Sequence, residues 1–178
     1  MQPLVLTAIF NSETQTMFER LRTAHFPPAR NFVPAHLTLF HALPGAECHI
    51  IQLALADACS SHPACSATLL PWRLIGRGVA REIASPGLAA LRAGLASQWR
   101  IWLTEQDSKP WRPHVTIQNK VPPERARTLH AELSRTVDVR NALVVELVLW
   151  RYLGGPWEKI ARFPLQAAEP SSDGAATD

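Results

Sequence analysis

His36-Leu37-Thr38-Leu39 returns 78 positions later as His114-Val115-Thr116-Ile117. Successive side chains on a β-strand point to opposite faces. If both segments are strands, each buries its aliphatic pair and turns an imidazole and a hydroxyl to the other face. Two such faces brought together make a cleft with two proton-transfer groups and two hydroxyl donors. Both copies follow a proline, Pro34-Ala35-His36 and Pro113-His114, which suits a strand entry because proline cannot donate to a ladder. One such match carries no weight; two at strand entries do.

The 178 residues suit one domain or two small lobes sharing a core. Hydrophobic residues make up 47% and charged residues 19%, values of a globular protein. No long apolar run reads as a membrane span, and Met1-Gln2-Pro3-Leu4 reads as the approach to a first strand rather than a signal peptide. Three cysteines, Cys48, Cys59 and Cys65, lack metal spacing and read as reduced thiols, so a cytoplasmic location and no membrane partner are expected. Net charge is +3. The segment from Ala167 to Asp178 holds three acids and no Lys or Arg, so residues 1–166 carry +6. That bias suits an anionic substrate and is too weak for a nucleic-acid groove. The expected organisation is one bilobal domain over 1–166 and a disordered tail over 167–178.

Periodicity gives the element order. Leu4 to Phe10 reads as a strand, then a helix to about Ala24 with Met17, Phe18 and Leu21 inward. His36 to about Leu43 is the first motif strand, followed by a helix from Glu47 to about Ser60. Strands follow over 68–75 and 78–84 around Gly76-Arg77. Ser85-Pro86 starts a helix with Leu88, Leu91, Leu95 and Trp99. Residues 107–113 form a loop, 114–119 the second motif strand, and Pro122-Pro123 opens a helix. Strands over 143–152 and 157–165 flank the Gly154-Gly155-Pro156 turn. The order is βαβ-α-ββ-αβ-αββ, an arrangement that suggests an internal duplication about a pseudo-twofold axis.

The two motifs, with Trp111-Arg112-Pro113 before the second, resemble the 2H phosphoesterase superfamily, defined by paired His-x-Thr/Ser-x motifs. Within it, the chain is similar to the 2′-5′ RNA ligase-like branch, which includes RNA 2′,3′-cyclic phosphodiesterases. Gln118-Asn119-Lys120-Val121 and Trp150 to Trp157 are similar to a bacterial subgroup of that branch. The resemblance spans about residues 1–165. It implies an α+β, bilobal fold: two pseudo-symmetric lobes with antiparallel-rich sheets around a central cleft and helices outside. The chain departs from better-known members in Gln118-Asn119-Lys120, where a basic residue often follows the Thr strand.

The same resemblance implies metal-independent hydrolysis of a 2′,3′-cyclic phosphate, on an RNA end or a small nucleotide, to a 2′-phosphate. His36 and His114 would be the acid–base pair, in roles the sequence does not assign, and Thr38 and Thr116 would donate to the non-bridging oxygens. Reversal would join a cyclic phosphate to a 5′-hydroxyl. Candidate substrate contacts are Phe40 and Gln118, which share the parity of their motif histidines, and the cations Arg112 and Lys120. Phe40 also reads as a core aromatic, and the other three as ordinary surface groups. His41 has the opposite parity to His36 and reads as structural; His25, His49, His62 and His130 lack motif context. No Gly-rich phosphate loop or metal-ligand spacing is present, so neither cofactor nor metal is expected. The competing expectation is a non-catalytic RNA-end or phosphate-binding module on the same fold; a histidine-based metallophosphoesterase is a weaker third. Oligomeric state is open, a monomer being compatible with the pattern.

Overall fold

A computed structural model describes residues 2–135 and 140–167. Its strands are β1 (Leu4–Phe10), β2 (Leu37–Leu43), β3 (Cys65–Leu74), β4 (Val79–Ala84), β5 (His114–Gln118), β6 (Arg140–Tyr152) and β7 (Trp157–Pro164). The helices are α1 (Ser12–His25), α2 (Cys48–Ser60), α3 (Pro86–Gln98), the single turn α4 (Glu105–Ser108) and α5 (Pro123–Leu133). The order matches the expected one except for α4, which occupies part of the anticipated loop. Strands β3 and β6 begin three residues earlier than expected. The anticipated tail lies, from residue 168 onward, outside the described residues.

All strand pairings are antiparallel. The strands follow one another as β1-β2-β5-β4-β3-β6-β7, and a further β1–β6 pairing closes six of them into a ring. Two features make this ring bilobal. The long β6 is shared: Arg140 to Val144 pair with β3, while Glu146 to Tyr152 pair with β7. The motif strands β2 and β5 meet only at Leu37 opposite Val115. Each lobe therefore contains four strands, β2-β1-β6-β7 in one and β5-β4-β3-β6 in the other. A motif strand forms the inner edge of each.

Apolar faces explain the closure. Leu4, Leu6, Ala8 and Phe10 of β1, Leu37 and Leu39 of β2, Val115 and Ile117 of β5, and Val144, Leu147 and Leu149 of β6 enter one core. Ile51 and Leu55 of α2 and Leu88 and Leu95 of α3 cover it. At about 25 cal/mol per Å² of apolar surface removed from water, each such side chain stabilises by roughly 1.5–3 kcal/mol. In α1 the buried positions are Thr14, Phe18 and Arg22, one ridge at i, i+4 spacing. Ser85 precedes α3 as expected, but its hydroxyl donates to the Ser66 carbonyl (2.8 Å) rather than capping the helix. Among the described residues no helix is long and apolar enough to cross a membrane.

Candidate functional site

The Leu37–Val115 pair sets the geometry of both motifs. Counting outward in the antiparallel sense puts residue 36 across from 116 and residue 38 across from 114. All four positions lie on the face opposite Leu37 and Val115, which are wholly buried. Cross-strand neighbours have Cβ atoms about 5 Å apart, so His36, Thr38, His114 and Thr116 form one compact set about the pseudo-twofold axis. All four are partly exposed.

The two histidines are held identically. His36 Nδ1 lies 2.7 Å from the Pro34 carbonyl, and His114 Nδ1 lies 2.8 Å from the Arg112 carbonyl. A carbonyl only accepts, so Nδ1 carries a proton in each ring and Nε2 is left free. The motif backbones are pinned from a distance. Trp111 Nε1 donates to the Thr38 carbonyl (2.9 Å), and Arg22 Nη1 to the Thr116 carbonyl (2.8 Å). Arg22 is 4% exposed, and its Nε donates to Asn31 (2.8 Å). Trp157 packs its ring 4.9 Å from that of His36.

Desolvation pushes the His36 imidazole down to about 4; the Pro34 bond opposes this, while Arg22, His114 and His41 add to the depression. His114 is also lowered, first by burial, with Arg73 and His41 adding and the Arg112 bond and Glu82 opposing. Burial therefore favours the neutral form of both rings. Arg73 pairs with Glu82 at 2.8 Å.

The strands depart from simple alternation at the same place in both motifs. Thr7 pairs with Thr38 but Leu6 with Phe40, so Leu39 is an extra residue in β2. Ala80 pairs with Thr116 but Val79 with Gln118, so Ile117 is an extra residue in β5. A bulge reverses the facing of every residue after it. Two expectations are corrected by this. Phe40 is wholly buried in the core, with its ring 5.3 Å from Trp99 and the Arg92 guanidinium 4.8 Å away, so it is unavailable to stack on a base. Gln118 is 1% exposed and turned from the Thr116 face, so it does not share the cleft with His114. Arg112 and Lys120 are exposed. Arg112 supplies its backbone carbonyl to His114, and Lys120 has φ 60° after Asn119, whose side chain accepts its N–H at 2.7 Å.

The bulge also reverses the reading of His41, which returns to the face of Thr38. Its Nδ1 lies 2.9 Å from Oδ1 of Asp107, whose side chain is 1% exposed. Asp107 also accepts the backbone N–H groups of His41 (2.9 and 3.0 Å) and Ala42 (3.1 Å). Burial works against its charge, but the bonds from His41 and Ala42 outweigh it and hold the carboxyl below its usual value. Asp107 and Arg22 were not singled out from the sequence. For Asp107 the signal was Thr104-Glu105-Gln106-Asp107, a helix-start pattern in which Thr104 accepts the Asp107 N–H at 3.2 Å. For Arg22 it was the i, i+4 ridge with Phe18. Among the described residues no group of three or more His, Cys, Asp or Glu is placed to hold a metal ion.

A shared-core, bilobal α+β fold with paired His-x-Thr strands at its junction defines a 2H phosphoesterase-like protein. The model of the 2′-5′ RNA ligase superfamily matches residues 10–156, and the chain belongs to that superfamily of 2H phosphoesterases. Solved structures agree in fold. TT0787 of Thermus thermophilus has a TM-score of 0.62 at 19% identity, covering 93% of this chain and 98% of that one. E. coli LigT in apo form has a TM-score of 0.56 at 20% identity, with the same coverages. E. coli LigT complexed with 3′-AMP has a TM-score of 0.57 at 21% identity, again covering 93% and 98%. No match is found among curated proteins. Membership in this superfamily supports an enzyme of phosphodiesterase or RNA ligase-like type.

Proposed function

We propose that the protein is a metal-independent phosphodiesterase that opens a 2′,3′-cyclic phosphate, on an RNA end or a small nucleotide, to a 2′-phosphate. The observation that carries this reading is the symmetric pair of imidazoles, each with Nδ1 on a carbonyl two residues upstream and Nε2 free. The cyclic phosphate sits between them. His36, the more strongly held in its neutral form, takes a proton from water as the water oxygen bonds to phosphorus. The P–O3′ bond breaks on the opposite side, and His114, protonated, gives its proton to the departing O3′. Thr38 and Thr116 donate to the non-bridging oxygens, where charge builds in the transition state. The two histidines end with exchanged protonation states, and proton exchange with solvent resets them. The same steps, with a 5′-hydroxyl in place of water as the nucleophile, join two RNA ends through a 2′-5′ linkage. Nucleotide binding by the class is consistent with the E. coli LigT complexes with 3′-AMP, NADP+ and ATP.

The test is incubation of the wild-type protein with the four nucleoside 2′,3′-cyclic monophosphates in excess chelator, with products resolved by phosphorus NMR. The expected result is turnover to the 2′-phosphate alone. Nucleotide binding without product, over hours and for all four, would instead mean a binding module on this fold.

A further inference from the structure

His41, on the cleft side of β2, is the third imidazole of the cleft. It follows Thr38 by one register step because Leu39 is bulged out, and it interacts electrostatically with both His36 and His114. Its side chain is 41% exposed, while the carboxylate beneath it is 1% exposed. Asp107 takes Nδ1, so the free atom of the ring is Nε2. The support is rigid. Asp107 grips the β2 backbone through two N–H groups, its own carbonyl accepts Arg92 Nη2 at 2.7 Å, and Arg92 Nε donates to the carbonyl of the bulged Leu39 at 2.9 Å. A buried arginine, a bulge and a buried carboxylate thus combine to present one imidazole edge to the cleft.

An anion entering this cleft needs positive charge near it, and apart from the exposed Arg112 beside His114 few groups there are free to provide it. Both motif rings are pushed toward their neutral forms by burial. Arg22 directs its Nη1 and Nε to the Thr116 carbonyl and Asn31. Arg73 faces Glu82. We propose that His41, backed by Asp107, is an anion-binding residue of the cleft, its Nε2–H donating to a phosphate oxygen of the substrate while Asp107 balances the imidazolium. The assignment of that oxygen to a substrate phosphodiester rests on the proposed function; the anion site itself does not. The titratable groups near this ring are Asp107 on α4, His36 just before the same strand and His114 on β5, and Arg92 holds the Asp107 carbonyl. Arg22, Arg73 and Glu82 act on the motif histidines.

The test uses sulfate, whose charge is constant over about pH 5–8, titrated calorimetrically into wild type, His41→Ala and His41→Asn. Thermal midpoints establish folding, since both variants leave Asp107 its backbone donors. Wild type is expected to bind sulfate, with affinity reduced about tenfold or more in both variants, as for loss of a charged hydrogen bond. With a cyclic nucleotide, the variants are expected to raise KM with kcat little changed, a split that a merely structural role would not give. Sulfate affinity equal in wild type and His41→Ala, or no sulfate binding by wild type, overturns the proposal whatever the turnover. Sulfate binding that depends on His41 in a protein without turnover upholds it and removes the phosphodiesterase reading instead.

Discussion

At the scale of single residues, the chemistry rests on which imidazole nitrogen is free. Pro34 and Arg112 carbonyls fix Nδ1–H in His36 and His114, so Nε2 is the acid–base atom in both. The depressed proton affinity of both rings has a direct kinetic consequence. In the free enzyme the base must be neutral and the acid protonated. His36 stays neutral down to about pH 4, so the acid limb of kcat/KM lies well below the ordinary histidine value of 6.5. His114 is also lowered, so the alkaline limb begins below 6.5 as well. The kcat/KM profile is therefore expected to peak on the acid side of pH 6.5. The kcat profile is expected to lie higher, because bound anionic substrate favours the imidazolium. Rates measured from pH 4 to 9 check this, and a kcat/KM optimum above about pH 7.5 would contradict it. The motif residues were legible in the sequence because a repeated His-x-Thr-x needs only local alternation to be read. Arg22 and Asp107 were not, because each meets its motif strand across more than sixty residues of chain.

At the scale of elements, the bulges decide what the cleft contains. Sequence alternation placed Phe40 and Gln118 beside the histidines and His41 away from them. The extra residue at Leu39 in β2, which has a second shift between Phe40 and Leu43, and at Ile117 in β5 inverts all three positions. Such a register shift leaves no mark in the hydrophobic pattern here, since Leu39 and Phe40, or Ile117 and Gln118, are compatible with either facing. The supports of the bulges are visible only in three dimensions. In β2 the support is Arg92, whose guanidinium ties Leu39 to Asp107. In β5 it is Gly78, which packs against the strand end. A Cβ there would overlap the Gln118 carbonyl oxygen and come within 2.7 Å of Asn119 Cα. Backbone cannot yield as a flexible side chain does. Gly78→Ala is therefore expected to destabilise the fold by about 2 kcal/mol, in the range of overpacking in a close-packed interior. It should also lower kcat through displacement of Thr116, whereas Gly94→Ala, at a helical site with open space, should do neither. Chemical denaturation and turnover of the two variants, compared side by side, check this. Equal stability of Gly78→Ala and wild type would show that the close approach does not hold the bulge.

Across the molecule as a unit, the site is a property of the junction and belongs to neither lobe. Each lobe supplies one histidine and one threonine, and the two motif strands touch through one residue pair. The shared β6 holds the lobes in register: Val144 pairs with Phe10 of one lobe and Cys65 of the other. The order of strands and helices was readable from periodicity and punctuation by Pro and Gly. Closure of the six strands through β1–β6 was not, because nothing local in β1 identifies a partner 140 residues away. Everything in the proposed mechanism depends on the two lobes acting as one acid–base unit. The decisive experiment is the single-turnover rate on a 2′,3′-cyclic nucleotide, measured in chelator for wild type, His36→Ala, His114→Ala and the double variant. Each single variant is expected to stay folded and lose about 10²–10⁴-fold, with the double variant little worse than either, because acid and base serve one step. A single variant within threefold of wild type, or losses that multiply in the double variant, would contradict it.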